Sequence, residues 1–210
     1  MSEAYLFAVG RGPQANAALD QALRVAARGR DWLGQVHWLG APGPDLAEGL
    51  PVLRWSDDAG APALMLRLAL RELEQGACDL LLVGETRPDS ALALLLGAPA
   101  AVGRWNLPPL ARLEPLPVCG GSMEAALTAA MAAAWKRVPE EEELALALCP
   151  GADDPAQRAA LTGLKTLALE GSLLDAPVAL ERALAERRQR FGLLAICAPG
   201  VCQPFLVERL

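Results

Sequence analysis

The chain alternates between short continuous apolar runs and longer stretches in which apolar residues recur every three or four positions. The clearest example is a helical stretch at residues 61–76, which ends at Gly76, followed by an apolar run at residues 78–84. A continuous apolar run of this length is typical of a strand that helices cover on both faces. Strand–helix alternation along the whole sequence therefore predicts an α/β fold with a mixed, mostly parallel sheet.

The same patterns predict where individual elements lie. Strands at 79–84, 192–198 and 203–208 should form interior layers covered by helices, with Glu85 at a strand end. Asp89 is a plausible N-cap for a helix over residues 89–97. A second helix is predicted over residues 154–171, where Pro155 would occupy the first helical position.

Composition narrows the class of protein. The chain has 210 residues, of which 53% are hydrophobic, and its formal net charge is −6. This hydrophobic content can fill a sizeable core, and the acidic balance argues against a nucleic-acid surface. No leader-like segment opens the chain, and no apolar run approaches the roughly 20 residues that a membrane span needs. We therefore expect a soluble cytoplasmic protein that binds neither nucleic acid nor membrane.

Cysteine and histidine usage argues against a metal centre. The five cysteines form no CxxC pair, and His37 is the only histidine in the chain. The ligands of a common zinc site are therefore missing at useful spacing, and buried thiols are the simplest interpretation of the cysteines. We expect neither a metal ion nor a cofactor.

Two segments carry a likeness to a known superfamily. The helix-to-strand run at residues 61–85 and the closing segment at residues 192–210, with its Gly-containing turn, resemble the thiolase and β-ketoacyl synthase superfamily. The resemblance implies a layered, thiolase-like α/β fold. Its N-terminal half would be residues 1–118, and a shortened C-terminal half, residues 119–210, would complete one compact unit. Between residues 148 and 192 we expect two helices and no additional strand.

The superfamily's catalytic residues do not transfer well to this sequence. Counting from the glycines of the first segment places the nucleophilic cysteine of the superfamily at Ala59, and no histidine occurs in the second half. Gln203 stands where the synthases have an amide or a histidine, and Glu85, Gly200 and Gln203 would line the ligand site. The resemblance therefore implies a non-catalytic partner or scaffold in acyl-thioester metabolism of the fatty acid or polyketide type.

Two other functions stay open. Cys119 precedes a predicted helix start, where a thiolate could be activated with His37 as its base, and Cys197 falls near the second catalytic cysteine of the thiolases. Either would make the chain a compact acyltransferase acting on acyl-CoA or acyl-carrier protein. Alternatively, Gly10 and Gly12 fit the glycine pattern of a Rossmann-like nucleotide-binding turn.

The resemblance also suggests partners. In the superfamily, the strand before the nucleophile helix pairs across a two-fold axis, which places Arg54 and Trp55 near a dimer contact. The partner would be a second copy of this chain or an intact ketosynthase. Arg187, Arg188 and Arg190 form a candidate docking patch for an acidic carrier protein or a phosphate group of coenzyme A.

Overall fold

The computed structural model describes residues 3–41, 46, 49–56, 61–148, 166–168, 174–198 and 201–210. Two compact units make up the chain, Met1–Arg112 and Leu113–Leu210. The sequence placed this boundary after residue 118. No helix among the described residues has the length and apolar character needed to cross a bilayer.

The first unit contains a five-stranded sheet with helices packed against it. Its elements are β1 (Ala4–Gly12), α1 (Ala15–Val25), a short 3₁₀ turn (Arg30–Trp32), β2 (Gln35–Leu39), β3 (Val52–Trp55), α2 (Ala61–Glu74), β4 (Leu80–Thr86), β5 (Ala91–Gly97) and α3 (Pro99–Trp105). The strand order is β3-β2-β4-β5-β1. Strand β2 runs parallel to β3 and β4, whereas β5 runs antiparallel to β4 and β1.

The second unit is built in the same way. Strand β6 (Ala111–Pro115) crosses the boundary between the units. The elements that follow are β7 (Cys119–Gly120), α4 (Met123–Trp135), β8 (Leu144–Leu148), β9 (Thr166–Ala168), α5 (Ala176–Glu186), β10 (Phe191–Ala198) and β11 (Val201–Arg209). Strand β8 runs parallel to β9 and β10, and β11 runs antiparallel to β10 and β7.

The two units repeat one topology. In each, a strand and a helix lead to two parallel strands, a second helix, and a hairpin whose first strand joins the parallel group. The second helices also begin alike, with Ala61-Pro62 in α2 and Ala176-Pro177 in α5. Proline is favoured in the first helical turn because its missing N–H has no intrahelical acceptor there. The repeated Ala-Pro start is therefore a sequence mark of the internal repeat.

The mixed α/β fold predicted from the sequence is confirmed. The helix predicted to end at Gly76 is α2, and Gly76 has a left-handed backbone with φ of +70°. The apolar run that follows it is β4, whose residues are buried up to Glu85. Strands β10 and β11 occupy the two C-terminal segments predicted as strands.

The helix predicted over residues 89–97 is wrong. Residues 91–97 form strand β5, which lies between β4 and β1 and pairs antiparallel with both. The polar segment after Glu85 is thus the connection of a β-hairpin. Its ends are tied by the Arg87 backbone N–H, which donates to the Ser90 carbonyl at 2.8 Å.

The expectation of two helices without a strand between residues 148 and 192 is also wrong. Residues 166–168 form β9, which pairs in parallel with β8. Residues 151–165, where most of the predicted second helix falls, lie outside the described part of the chain. The Thr-Leu-Ala segment became a strand because it extends a sheet edge, a contact that local periodicity does not encode.

Strand β2 connects the two helical layers of the first unit. Trp38 is fully buried in the cluster that packs under α1, and its indole N–H donates to Thr86 Oγ1 at 2.8 Å. A Cβ atom at Gly84 would lie 2.2 Å from Trp38 Cζ3. Glycine at this position therefore makes room for the tryptophan ring on the neighbouring strand.

We expect Gly84→Ala to lower the free energy of unfolding by about 1–3 kcal/mol, because the added methyl group overlaps the Trp38 ring in a packed core. Gly103→Ala in α3 is the matched control, since nothing lies within 4 Å of the Cβ position there. That change should be neutral or should stabilise the protein by up to about 1 kcal/mol. Urea denaturation of both variants measures the difference, and an unchanged midpoint for Gly84→Ala would contradict the packing argument.

Candidate functional site

The carboxyl ends of β2, β3 and β4 meet at one edge of the first unit's sheet, because the three strands are parallel. Helix α2 follows β3 in the chain and begins on the same side. Ligands of open α/β sheets bind outside the carboxyl ends of the strands, so this edge is the first place to look for a site. Residues 57–60, which include the Ala59 position, lie outside the described residues.

Glu85 lies at this edge, as the last residue but one of β4. Its side chain is 4% exposed, and its Oε1 accepts from Arg87 Nε at 2.5 Å. The guanidinium supplies the compensating charge that a buried carboxylate requires. The arrangement is a charge-paired carboxylate at the end of a buried strand.

His37 is fully buried in the middle of β2 and is held by two side chains. Its Nε2 lies 2.7 Å from Glu72 Oε2, and its Nδ1 lies 3.3 Å from Trp55 Nε1. An indole N–H can only donate, so Nδ1 is the acceptor and the ring proton sits on Nε2, which donates to the carboxylate. Both nitrogens of the chain's one histidine are therefore engaged in joining β2 to α2 and β3.

The sequence did not identify Glu72 as a candidate site residue. Besides its contact with His37, Glu72 contributes to the raised pKa of Cys78. Burial raises the pKa of the Cys78 thiol to about 11, with further contributions from the negative charges of Glu72 and Asp79. The sequence did carry a sign that the Glu72 side chain has a polar partner. Glu72 continues the helical stripe of the buried residues Met65 and Ala69, where a carboxylate needs a polar partner.

Cys119 lies in β7, before the start of α4 rather than within its first turn. Its Sγ–H donates to the Pro117 carbonyl at 3.3 Å. The helix start is capped by Ser122, whose Oγ accepts from the Ala125 backbone N–H at 3.3 Å. The Cys119 thiol is therefore hydrogen-bonded within its own segment and lies outside the helix turn that Ser122 caps.

The remaining predicted ligand-site residues fall in or beside the closing hairpin of the second unit. Gln203 lies in β11 opposite Ile196 and is half-buried. Cys197 lies in β10 opposite Cys202, but its side chain is outside the described part of the structure, as is Gly200 altogether.

The predicted dimer strand lies at one end of the first unit's strand order. The carbonyls of Pro51 and Trp55 accept from the backbone N–H groups of Val36 and Gly40 on the β2 side. Backbone polar groups of successive strand residues point in opposite directions, so those of Val52 and Arg54 face away from β2. Arg54 is exposed and Trp55 half-buried, and Leu53 is 40% exposed.

The predicted docking arginines lie at and beyond the end of α5. Arg187 and Arg188 are exposed, and Arg188 has a left-handed backbone with φ of +56°. Arg190 donates to Glu208 Oε1 at 2.5 Å, and its guanidinium lies over the Phe191 ring. Among the described residues, no group of three or more His, Cys, Asp or Glu side chains is placed to hold a metal ion.

Close packing explains the glycines of the proposed nucleotide-binding turn. A Cβ atom at Gly10 would lie 1.8 Å from the Ala18 carbonyl oxygen, and one at Gly12 would lie 2.7 Å from Ala17 Cβ. Both glycines therefore let β1 approach α1. The backbone N–H of Arg11 between them donates to Gln21 Oε1 at 2.5 Å.

No protein-family model and no curated protein matches the sequence. Comparison with solved structures does find matches. Human mitochondrial 3-ketoacyl-CoA thiolase in complex with CoA shares 12% identity at a TM-score of 0.73, over 100% of this chain and 98% of the thiolase chain. A variant of OleA from Xanthomonas campestris shares 12% identity at a TM-score of 0.69, over 99% of this chain and 98% of the OleA chain.

The chain has a thiolase-like fold. Another OleA variant, with bound lauric acid and lauroyl-CoA, is similar at a TM-score of 0.66 and 14% identity, over 93% of this chain and 81% of the OleA chain. The two topologically equivalent units form this thiolase-like fold. In it, the strand end at Glu85 and the closing hairpin with Gln203 belong to different units.

We expect Cys78 to react slowly with iodoacetamide at pH 8, because a thiol with a pKa near 11 is almost fully protonated there. Glu72→Gln should lower the pKa and speed the reaction, since it removes a negative charge yet keeps an acceptor for His37 Nε2. The rate at Cys78 is measured against pH by peptide mass spectrometry, with urea-unfolded protein as the ordinary-thiol reference. Equal rates in the native and unfolded protein would contradict the raised pKa.

Proposed function

We propose that this thiolase-like chain is a non-catalytic partner or scaffold in acyl-thioester metabolism of the fatty acid or polyketide type. The observation that carries the proposal is the engagement of His37, the one histidine of the chain, by Glu72 and Trp55. Acyl transfer through a cysteine needs a thiolate and a group that moves protons near it. A fully buried imidazole with both nitrogens engaged by neighbouring side chains is a structural side chain.

The thiol of Cys119 supports the same proposal. It is buried, it donates to the Pro117 carbonyl, and it lies outside the helix turn whose N–H groups would favour a thiolate. The alternative function, a compact cysteine-dependent acyltransferase, requires Cys119 or Cys197 to act without a histidine of the second unit. A Rossmann-like nucleotide site has no supporting observation, since packing accounts for Gly10 and Gly12.

A partner role needs a surface for assembly, and β3 offers one. Its Val52 and Arg54 backbones face away from β2, so a second strand can add there through main-chain hydrogen bonds. A second copy of this chain or an intact ketosynthase is the proposed occupant. Arg187 and Arg188 are the exposed cations proposed to meet an acyl-carrier protein or the phosphates of coenzyme A, the ligand held by one of the similar thiolase structures.

Incubation with acetyl-, malonyl- or lauroyl-CoA should give no covalent acyl-protein, because neither Cys78 nor Cys119, among the thiols that the structure describes, lies at a helix start beside a histidine. Intact-protein mass spectrometry at neutral pH measures this directly. An adduct that maps to Cys119 or Cys197, and that disappears on Cys→Ala substitution at the same position, would establish the acyltransferase instead. Binding of CoA by calorimetry without an adduct would support a ligand-holding scaffold.

Arg54→Pro should abolish assembly through β3 while leaving the fold intact. Proline removes the outward N–H at this position but none of the hydrogen bonds to β2, and it is tolerated on edge strands. Arg54→Ala is the matched control, because it deletes the charged side chain and keeps the N–H. Light scattering should give a dimer for the wild type and for Arg54→Ala, and a monomer for Arg54→Pro with an unchanged circular dichroism spectrum.

Two results would count against this interface. A wild-type chain that is monomeric alone and gains no mass when mixed with an intact ketosynthase has no assembly of the proposed kind. A dimer that persists in Arg54→Pro uses another surface.

A further inference from the structure

Two cysteines of the second unit face each other across adjacent strands. Cys119 of β7 lies directly opposite Cys202 of β11 in an antiparallel pair, and both are thiols. Both side chains belong to the apolar cluster that includes Ala126 and Leu127 of α4, so they lie on the same face of the sheet. The proposed scaffold role uses neither thiol.

The Cα separation expected for this pair falls in the range that disulfides span. Directly opposite residues of an antiparallel pair have Cα atoms about 4.5 or 5.5 Å apart, depending on their hydrogen bonding. Disulfides span Cα separations of about 4.4–6.8 Å, so both values are compatible with bond formation. The register therefore places the two cysteines within the backbone separation that a disulfide spans.

The surroundings of the two thiols differ, and the difference assigns their roles. Cys119 is 9% exposed and sits in a two-residue strand, next to Val118, which is 51% exposed, and the exposed Gly120. Opening such a short pairing breaks few hydrogen bonds, so Cys119 can reach solvent by local fluctuation. Cys202 is 0% exposed, in a strand that pairs with both β10 and β7.

We propose that Cys119 and Cys202 form a redox dithiol whose oxidant is a low-molecular-weight disulfide such as glutathione disulfide. The Cys119 thiolate attacks one sulfur of glutathione disulfide, forming a mixed disulfide and releasing one glutathione thiolate. The Cys202 thiolate then attacks the Cys119 sulfur and displaces the second glutathione. Two protein thiols lose two electrons and two protons, and one glutathione disulfide becomes two glutathione molecules.

Formation of the disulfide would make the second unit more rigid and more heat-stable. It fixes β7 to β11, and with it the segment that leads into the Ser122 cap of α4. The bridge spans most of the second unit in sequence, and cross-links that close long loops restrict the unfolded chain most strongly. The oxidised protein is therefore the more heat-stable form, and its α4 start is the more rigid one.

Cys197 is the competing partner, since its backbone lies opposite Cys202 on the other side, in β10. The tryptic peptides distinguish a disulfide of Cys119 from one between Cys197 and Cys202. Cleavage after Arg112 and Lys136 releases a peptide with Cys119, whereas cleavage after Arg190 and Arg209 releases one peptide with both Cys197 and Cys202. A bridge of Cys119 thus joins two peptides, and a Cys197–Cys202 bridge stays within one.

The test treats the folded full-length chain with excess glutathione disulfide at pH 8, quenches it with acid, and maps non-reduced tryptic peptides by mass spectrometry. We expect the two peptides to be joined, with fragmentation placing the bond at Cys119 and Cys202. The melting temperature of the oxidised protein should be at least about 5 °C above that of the dithiothreitol-treated protein. Cys119→Ser should lose this difference, and Cys78→Ser should keep it.

Three results would overturn the proposal. Each of them can be read from the peptide map of the wild-type protein, so none depends on whether a variant folds. The first is a bond between Cys197 and Cys202 or between Cys119 and Cys197. The second is a stable glutathione adduct at Cys119 that Cys202 does not resolve. The third is the absence of any reaction at Cys119 in the folded protein when the unfolded protein reacts.

Discussion

A strand buried on both faces must satisfy every polar atom it carries from inside the protein, and this constraint on β2 shapes the first unit. Trp38 belongs to the α1 layer, where its ring occupies the space left by Gly84 and its N–H is taken by Thr86. The preceding residue of the strand, His37, is hydrogen-bonded by Glu72 of α2 and Trp55 of β3. One dipeptide therefore ties together two helices and three strands, and the histidine is fully used in doing so.

The thiolase-like fold and the availability of polar side chains at its strand ends are separate properties of the chain. The fold needs the parallel strands, their covering helices and the closing hairpin, all of which are present in both units. The chemistry needs side chains whose polar atoms remain available to a substrate. In the described residues at the strand ends, Glu85 is neutralised by Arg87, and the only imidazole is enclosed by the core. These polar groups serve contacts within the first unit.

The sequence predicted elements that carry a strong local signal. The apolar spacing of α2 and the glycine that ends it define that helix, and the apolar run after it defines β4. The residues of strand β5, in contrast, favour a helix when judged by local sequence alone. Its residues are alanines and leucines with a final glycine, and alanine and leucine are good helix formers. Only its pairing with a strand on each side makes it extended, and that pairing is a property of the tertiary structure.

The candidate site shows the same limit in its side chains. His37 was recognised from its residue type, but its partner Glu72 lies 35 residues further along the chain, and spacing along the sequence does not connect them. Likewise, Cys119 drew attention as a possible nucleophile, whereas its position opposite Cys202 follows from the register of two strands that are distant in sequence. Local chemistry identifies candidate residues, and the strand register decides their neighbours.

The edge formed by β3 has a consequence for how the protein is made in a cell. A newly folded copy carries outward-facing backbone groups at Val52 and Arg54 beside the partly exposed Leu53, and open strands of this kind recruit extended segments of other chains. The charge on Arg54 is the main deterrent within the strand. A copy whose β3 edge stays uncovered is therefore prone to aggregate, and the recoverable amount of protein should fall as the concentration of such copies rises.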